Sequence, residues 1–358
     1  MRSVSLLSWK TTIQIDIFAS NSIYKMIKIA IIFGGSGYIG ANLLKVLIEQ
    51  NIFDKYLVCD IKNLVGFKSE LEQRLVEYKR IDVRSKINFK LDQNLDTERS
   101  WIYNFAAIHR EPGHDYNEYF DTNIPGAEHV NDFARKYSIK NIFFTSSIAP
   151  YGKSMNEKSE SSTLYPETSY GISKALAERI HQNWLAEDLS RRLIIVRPSV
   201  IFGPKDPGNV YRMIKALKKG TFVLPNGGNI IKSYGYVYGL VDSILFTMNK
   251  KDSLIIYNYA ENPLVPLSKM VKIVKEEFNY NKPTLKMSVK TLSVIAFFLN
   301  KSFKIIGKKS DVHPVRIKKA GFPTNIRPQY LIDNNFEFKY DFKNALKHWK
   351  SVSPEDFK

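Results

Sequence analysis

Residues 31–40 read Ile31-Ile32-Phe33-Gly34-Gly35-Ser36-Gly37-Tyr38-Ile39-Gly40, an apolar strand running straight into three glycines at three-residue intervals. That spacing suits a tight turn from strand into helix. Gly34 permits the turn, Gly37 lets the backbone approach a pyrophosphate, and Gly40 lets the helix lie close to the sheet. The helix N-terminus then offers amide donors and the positive end of its dipole to phosphate oxygens. A glycine pattern alone also fits an ordinary strand–turn–helix, so its flanks decide the reading.

Downstream, Ala41 to Gln50 has the period of a helix, with Leu43, Leu44, Leu47 and Ile48 on one face. Tyr56-Leu57-Val58-Cys59-Asp60 follows as a buried strand ending in an acid, twenty residues past Gly40. A carboxylate there can bond the adenosine ribose hydroxyls and would repel a 2'-phosphate, which predicts NAD rather than NADP. Further strands are expected at Trp101–Ala107, Asn141–Thr145 and Arg192–Val196, with helices at Gly126–Tyr137 and Tyr170–Leu189. Continuous apolar strands alternating with helices describe an α/β fold, a Rossmann-type doubly wound parallel sheet covered on both faces. Small Ala106 and Ala107 at a strand end leave room for a cofactor, although plain strand packing explains them equally.

Beyond Gly203-Pro204 the alternation loosens. Leu264–Phe278 and 290–306 read as helices of a smaller, mainly helical C-terminal substrate-binding lobe. The expected division is an extension at 1–25 and a dinucleotide-binding domain at 26–202, rejoined by segments around 234–260. The lobe takes 203–233 and 261–335, and 336–358 form a tail.

A chain of 358 residues, 44% hydrophobic, can bury one large core or two smaller ones. Its single cysteine, Cys59, rules out an internal disulfide scaffold. Against 35 acidic residues stand 53 basic ones, a formal charge of +18 that favours an anionic partner. The lysines are scattered without a zinc-finger, basic-zipper or RNA-binding signature, so no nucleic-acid partner is expected. No metal ligand set is assigned. Residues 1–25 lack a secretory signal pattern, and Met26 directly precedes the first strand, so they are expected to be a loose extension or not native. No run reaches the roughly 20 apolar residues needed to span a bilayer, and a cytoplasmic protein is expected.

Tyr170 and Lys174 stand four apart at the start of an expected helix, a spacing that puts both side chains on one face. A nearby ammonium stabilises phenolate and turns a poor base into a usable one. Ser147, just past the Asn141–Thr145 strand, could bond the same substrate oxygen.

With these residues assembled, the chain from about Met26 onward resembles the NAD-dependent epimerase/dehydratase family, the extended short-chain dehydrogenases/reductases. The glycine turn, Asp60, Asp82-Val83, Phe105-Ala106-Ala107, Asn123, Thr145-Ser146-Ser147, Tyr170/Lys174, Arg197-Pro198 and Ile201-Phe202-Gly203-Pro204 carry the resemblance. It implies NAD as cofactor, Tyr170 as acid/base, Lys174 as its partner and ribose contact, and Ser147 as hydroxyl clamp. By the same resemblance Gly34, Ser36, Gly37, Tyr38, Ile39 and Gly40 hold the pyrophosphate, and Asp82 and Val83 lie near adenine. Phe105, Ala106 and Ala107 border the cofactor, with Arg197 and Pro198 also in contact. Asn123 is expected both to touch the cofactor and to support the active site. A homodimer is usual for such proteins.

Within the family, Ala107-Ile108-His109-Arg110, Gly208-Asn209-Val210-Tyr211 and Lys232-Ser233-Tyr234 resemble polyprenyl-diphosphate-linked N-acetylglucosamine 4-epimerases of O-antigen biosynthesis. This implies substrate contacts at His109, Arg110, Asn209, Val210 and Lys232, a diphosphate-linked sugar, and a possible undecaprenyl carrier. Lys232 stands where an arginine is common, and Gly239 where an aspartate is. Ile148-Ala149 follow Ser147, where 4,6-dehydratases carry Asp-Glu, which argues against dehydration. Three alternatives stay open: a UDP-glucose or UDP-N-acetylglucosamine 4-epimerase, a nucleotide-sugar dehydrogenase or reductase, and a non-catalytic NAD-binding scaffold. Residues 286–308 interleave lysines with Leu292, Ile295, Phe298, Leu299, Phe303 and Ile306, which fits peripheral membrane contact or a lobe helix with its apolar face inward.

Overall fold

The computed structural model describes residues 26–91, 94–111, 113–206, 208–305 and 322–358; the 1–25 extension and Ile306 lie outside them. Strands β1 (Ile29–Phe33), β2 (Lys55–Asp60), β3 (Val76–Arg80), β4 (Trp101–Asn104), β5 (Asn141–Thr145) and β6 (Arg192–Pro198) form one parallel sheet. Its spatial order is Leu254–Tyr259, β6, β5, β4, β1, β2, β3. All five residues of β1 are buried, because both of its faces are covered. Ala30 and Ile32 face one core with Tyr103, Phe143 and Ile194. Ile29, Ile31 and Phe33 face the other with Ile102, Ile142 and Phe144. The first core is closed by α1 (Tyr38–Glu49), the second by α3 (Tyr116–Lys136) and α4 (Ser169–Ala186). A short α2 (Lys68–Glu72) lies between β2 and β3.

Two boundaries differ from the sequence reading for physical reasons. Trp101–Ala107 stays a strand only to Asn104, after which the chain leaves the sheet; one further bond links Phe105 N to Phe33 O at 2.8 Å. The helix expected from Gly126 begins ten residues earlier, at Tyr116. An Asp115/Glu118 capping box starts the helix, and Pro125 is carried inside it. Gly126 is there for contact: a Cβ would stand 3.0 Å from Val83 Cγ2.

The lobe has its own core, where Phe202, Val210, Ile214 and Leu217 meet Tyr234, Tyr236, Met270 and Val274. It uses α5 (Asn209–Lys219) and α7 (Leu267–Phe278), while α6 (Val237–Met248) returns to cover the sheet. The 336–358 segment corrects the expectation of a tail. Helix Phe342–Val352, capped by Asp341 on Asn344 N, drives Phe342, Leu346 and Trp349 fully into the lobe core. Leu331, by contrast, packs under the sheet rather than in the lobe. Helix α8 (Val289–Ile305) buries Ala296 but leaves Val294, Ile295, Phe297 and Phe298 exposed, so its apolar side does not all turn inward. The side chains of Leu299 and Phe303 lie outside the described residues.

Trp349→Ala should cost about 3–5 kcal/mol, the usual range for emptying a fully buried tryptophan site. Denaturant unfolding checks it, and a loss well under 1 kcal/mol would mean that 336–358 is dispensable after all.

Candidate active site

The site begins where β1 turns into α1. Gly34 has φ +75°, and a Cβ on it would stand 2.6 Å from Ala106 N and 2.7 Å from Phe105 C. A Cβ on Gly40 would meet Gly34 O at 2.7 Å, so the helix starts hard against its own turn. The N-terminus of α1 has neither a side-chain cap nor an acid in its first turn. Ser36 Oγ beside it is buried without a partner. Asp60 Oδ2 accepts Ser36 N at 3.0 Å and Oδ1 accepts Lys62 N at 2.9 Å. A carboxylate has about four acceptor sites, so capacity for two ribose hydroxyls remains. An uncapped dipole end, an orphaned hydroxyl and a half-used carboxylate fit a dinucleotide.

The other expected cofactor residues divide. The Tyr38 phenol turns toward the lobe, 2.8 Å from where a Gly203 Cβ would be, leaving its backbone and that of Ile39 for phosphate. Asp82 is held bidentate by Arg84, which keeps its carboxyl below the usual range. Val83 is buried under α3 against Gly126. Asn123 spends its amide on the protein, accepting Ile108 N at 2.9 Å and donating to Ile108 O at 3.1 Å and Ser173 Oγ at 2.9 Å. It ties the Ala107–His109 loop to α4. Arg197 is taken up by Glu178 and Tyr151, and Pro198 O accepts Ile148 N at 3.2 Å.

Tyr170 lies in the first turn of α4, whose Thr168 cap accepts Gly171 N at 3.2 Å. Burial pushes the phenol up to about 12, opposed by the Ser147 hydroxyl and reinforced by Glu111 and Tyr119. Lys174 is fully buried, its Nζ 4.3 Å from the centre of the Phe144 ring. Burial lowers it to about 7, against the favourable charge of Glu178. The spacing argument expected a lowered phenol. In the protein alone desolvation dominates both groups. The Ser147 hydroxyl rather than Lys174 is what opposes it at the phenol, and Tyr170 rests neutral.

His109 is held neutral by burial and by the charges of Arg110, Lys174 and Lys62. Its loop is fastened by the Tyr119 hydroxyl donating to Arg110 O at 2.5 Å. Val210 turns into the lobe core, so only its main chain can face a ligand, while Asn209 Oδ1 accepts Arg212 Nη2 at 2.9 Å. Lys232, lowered to about 8 by burial, donates to Phe322 O. Gly239 has a steric reason to replace aspartate: a Cβ would lie 2.2 Å from the Tyr259 hydroxyl. Sequence reasoning missed Glu178, although its position four residues past Lys174 was a legible signal.

Residues 30–260 match the family described as "NAD dependent epimerase/dehydratase family". The chain belongs to that family. It is thus an NAD-dependent enzyme of epimerase/dehydratase type. Among curated relatives is the N-acetyl-alpha-D-glucosaminyl-diphospho-ditrans,octacis-undecaprenol 4-epimerase of Escherichia coli O157:H7. It is 30% identical over 321 residues, covering 88% of this chain and 92% of the relative. A putative UDP-glucose 4-epimerase of Methanocaldococcus jannaschii is 26% identical over 267 residues, 70% of this chain and 82% of that one. The Bordetella bronchiseptica enzyme WbmG, solved with NAD and UDP, shares the fold at TM-score 0.66 and 17% identity, covering 93% of this chain and 98% of that one.

Asp60 should make NAD bind at least about tenfold more tightly than NADP, since one charged hydrogen bond is worth roughly 1.5–3 kcal/mol. Parallel calorimetric titrations measure this. Equal affinities would contradict the role given to Asp60.

Proposed function

We propose that this protein inverts C4 of a hexose or N-acetylhexosamine carried on a diphosphate. The observation that supports it is the Ser147 hydroxyl bonded to the Tyr170 phenol, with Lys174 one turn farther along α4. NAD, when bound, takes hydride from the sugar and gives it back. The Tyr170 phenolate accepts the 4-hydroxyl proton while Ser147 bonds the same oxygen, and a 4-keto sugar forms. The protein releases that sugar from one orientation and holds it in the other. The phenol then returns the proton to the oxygen, and the opposite C4 configuration results. Ile148-Ala149 supply no carboxylates next to Ser147 for elimination of water, which favours epimerisation over dehydration.

A UDP-linked sugar is the first reading of the carrier, supported by the names of several relatives and by the complexes in which fold neighbours were solved. A lipid diphosphate is the second. It is favoured by the Escherichia coli relative and by the exposed Val294, Ile295, Phe297 and Phe298 of α8. Between Glu277 and Asp311 the sequence has seven lysines and no acid, which suits an anionic membrane face. No helix among the described residues is long and apolar enough to cross a membrane. A homodimer belongs to the same reading.

Purified protein with UDP-N-acetylglucosamine or UDP-glucose and catalytic NAD should interconvert epimers without net NADH, and stoichiometric NADH would reject epimerisation. The undecaprenyl-diphosphate-linked sugar, assayed in parallel, decides the carrier. Tyr170→Phe should keep fold and NAD binding yet lose turnover, and Ser147→Ala should slow it about 10- to 1000-fold. Near-normal turnover in Tyr170→Phe would overturn the assignment.

A further inference from the structure

Glu178 is a carboxylate buried to 2% exposure beneath the catalytic residues, and its partner Arg197 is 6% exposed. Tyr170, Lys174 and Glu178 follow one another at four-residue intervals along a single face of α4. Glu178 Oε1 accepts the Ser146 hydroxyl at 2.5 Å and Arg197 Nε at 2.9 Å, while Oε2 accepts Arg197 Nη2 at 2.7 Å. Arg197 Nη1 donates to the Tyr151 hydroxyl at 2.9 Å, which donates on to Asn258 Oδ1 at 2.8 Å. A buried ion pair is a poor way to gain stability, since apolar residues of the same volume do as well or better. Its use must be sought in what it touches.

It touches both sides of the catalytic centre. Ser146 immediately precedes Ser147, and the main chain on either side of Ser147 is bound to β6, with Ser146 N on Val196 O at 2.8 Å and Ile148 N on Pro198 O at 3.2 Å. Glu178 adds the side-chain bond that fixes how this strand end sits against α4. One helical turn away stands Lys174, a cation enclosed by protein. Around it stand Glu178 and His181 from its own helix, Phe144 from β5, and His109 from the loop after β4. Glu178 supplies the negative charge that favours its ammonium form.

We propose that Glu178, clamped by Arg197, is a positioning residue that sets the Ser147 end of β5 and keeps Lys174 charged during catalysis. This rests on the Tyr170–Lys174–Ser147 reading above. The sign of its pH effect follows directly. Lys174 serves only while protonated, so activity is lost as pH rises through its pKa. Removing the Glu178 charge lowers that pKa further and moves the alkaline limb of kcat to lower pH.

The test compares Glu178→Gln with the double variant Glu178→Gln/Arg197→Gln, which leaves no unpaired buried charge if the single variant fails to fold. Thermal unfolding and NAD titration report whether each is folded. In folded Glu178→Gln kcat should fall about tenfold or more with KM roughly unchanged, and the alkaline limb should move to lower pH. The double variant, which removes a cation together with the anion, should show the fall in kcat with a smaller movement of the limb. A folded Glu178→Gln whose alkaline limb stays where the wild type has it, or a folded double variant with wild-type kcat, would overturn the proposal. Wild-type protein inactive on every diphospho-sugar would instead overturn the reading on which it rests.

Discussion

No side chain fits between Gly34 and the Phe105–Ala106 backbone, and the site depends on that contact. With a would-be Cβ only 2.6 Å from Ala106 N, β1 can turn into α1 here only as glycine. The turn lies at the centre of the sheet, where β1 sits between β4 and β2, and connections leave toward opposite edges. In sheets of this kind ligands bind outside the strand ends at that point. The same approach positions the 105–109 loop, which Asn123 then bolts to α4, the helix carrying Tyr170 and Lys174.

Chemistry at this crevice is set by how much protein surrounds each group. Tyr170 is raised and Lys174 lowered, both chiefly by desolvation, so the phenol rests protonated and the ammonium is held with less margin than an exposed lysine's. A bound cationic nicotinamide would favour the phenolate, coupling cofactor binding to activation of the base. The charges that remain balanced inside belong to Glu178 and Arg197, which meet in two parallel hydrogen bonds.

What the sequence made legible was local. The glycine turn, Asp60 and the Tyr170/Lys174 spacing are short-range patterns whose geometry follows from strand and helix periodicity. Contacts between distant segments were not. That Asn123 would support the site by bonding Ile108 and Ser173, and that Arg197 would be clamped by Glu178, depends on partners from other elements. The helix expected from Gly126 starts ten residues earlier, where a capping box at Asp115/Glu118 and the packing of Val83 on Gly126 hold it. The last helix looked like a tail because its burial depends on partners in α5 and α7, contributed by segments more than sixty residues earlier.

The most direct test of the crevice as an epimerase site follows the hydrogen at C4. Substrate deuterated at C4 and incubated in ordinary water should give the epimer with deuterium still on C4, as expected when hydride leaves and returns to one carbon. Loss of the label to solvent at the rate of epimerisation would mean that C4 loses a proton instead, and would contradict the assignment of Tyr170 as the oxygen-centred base.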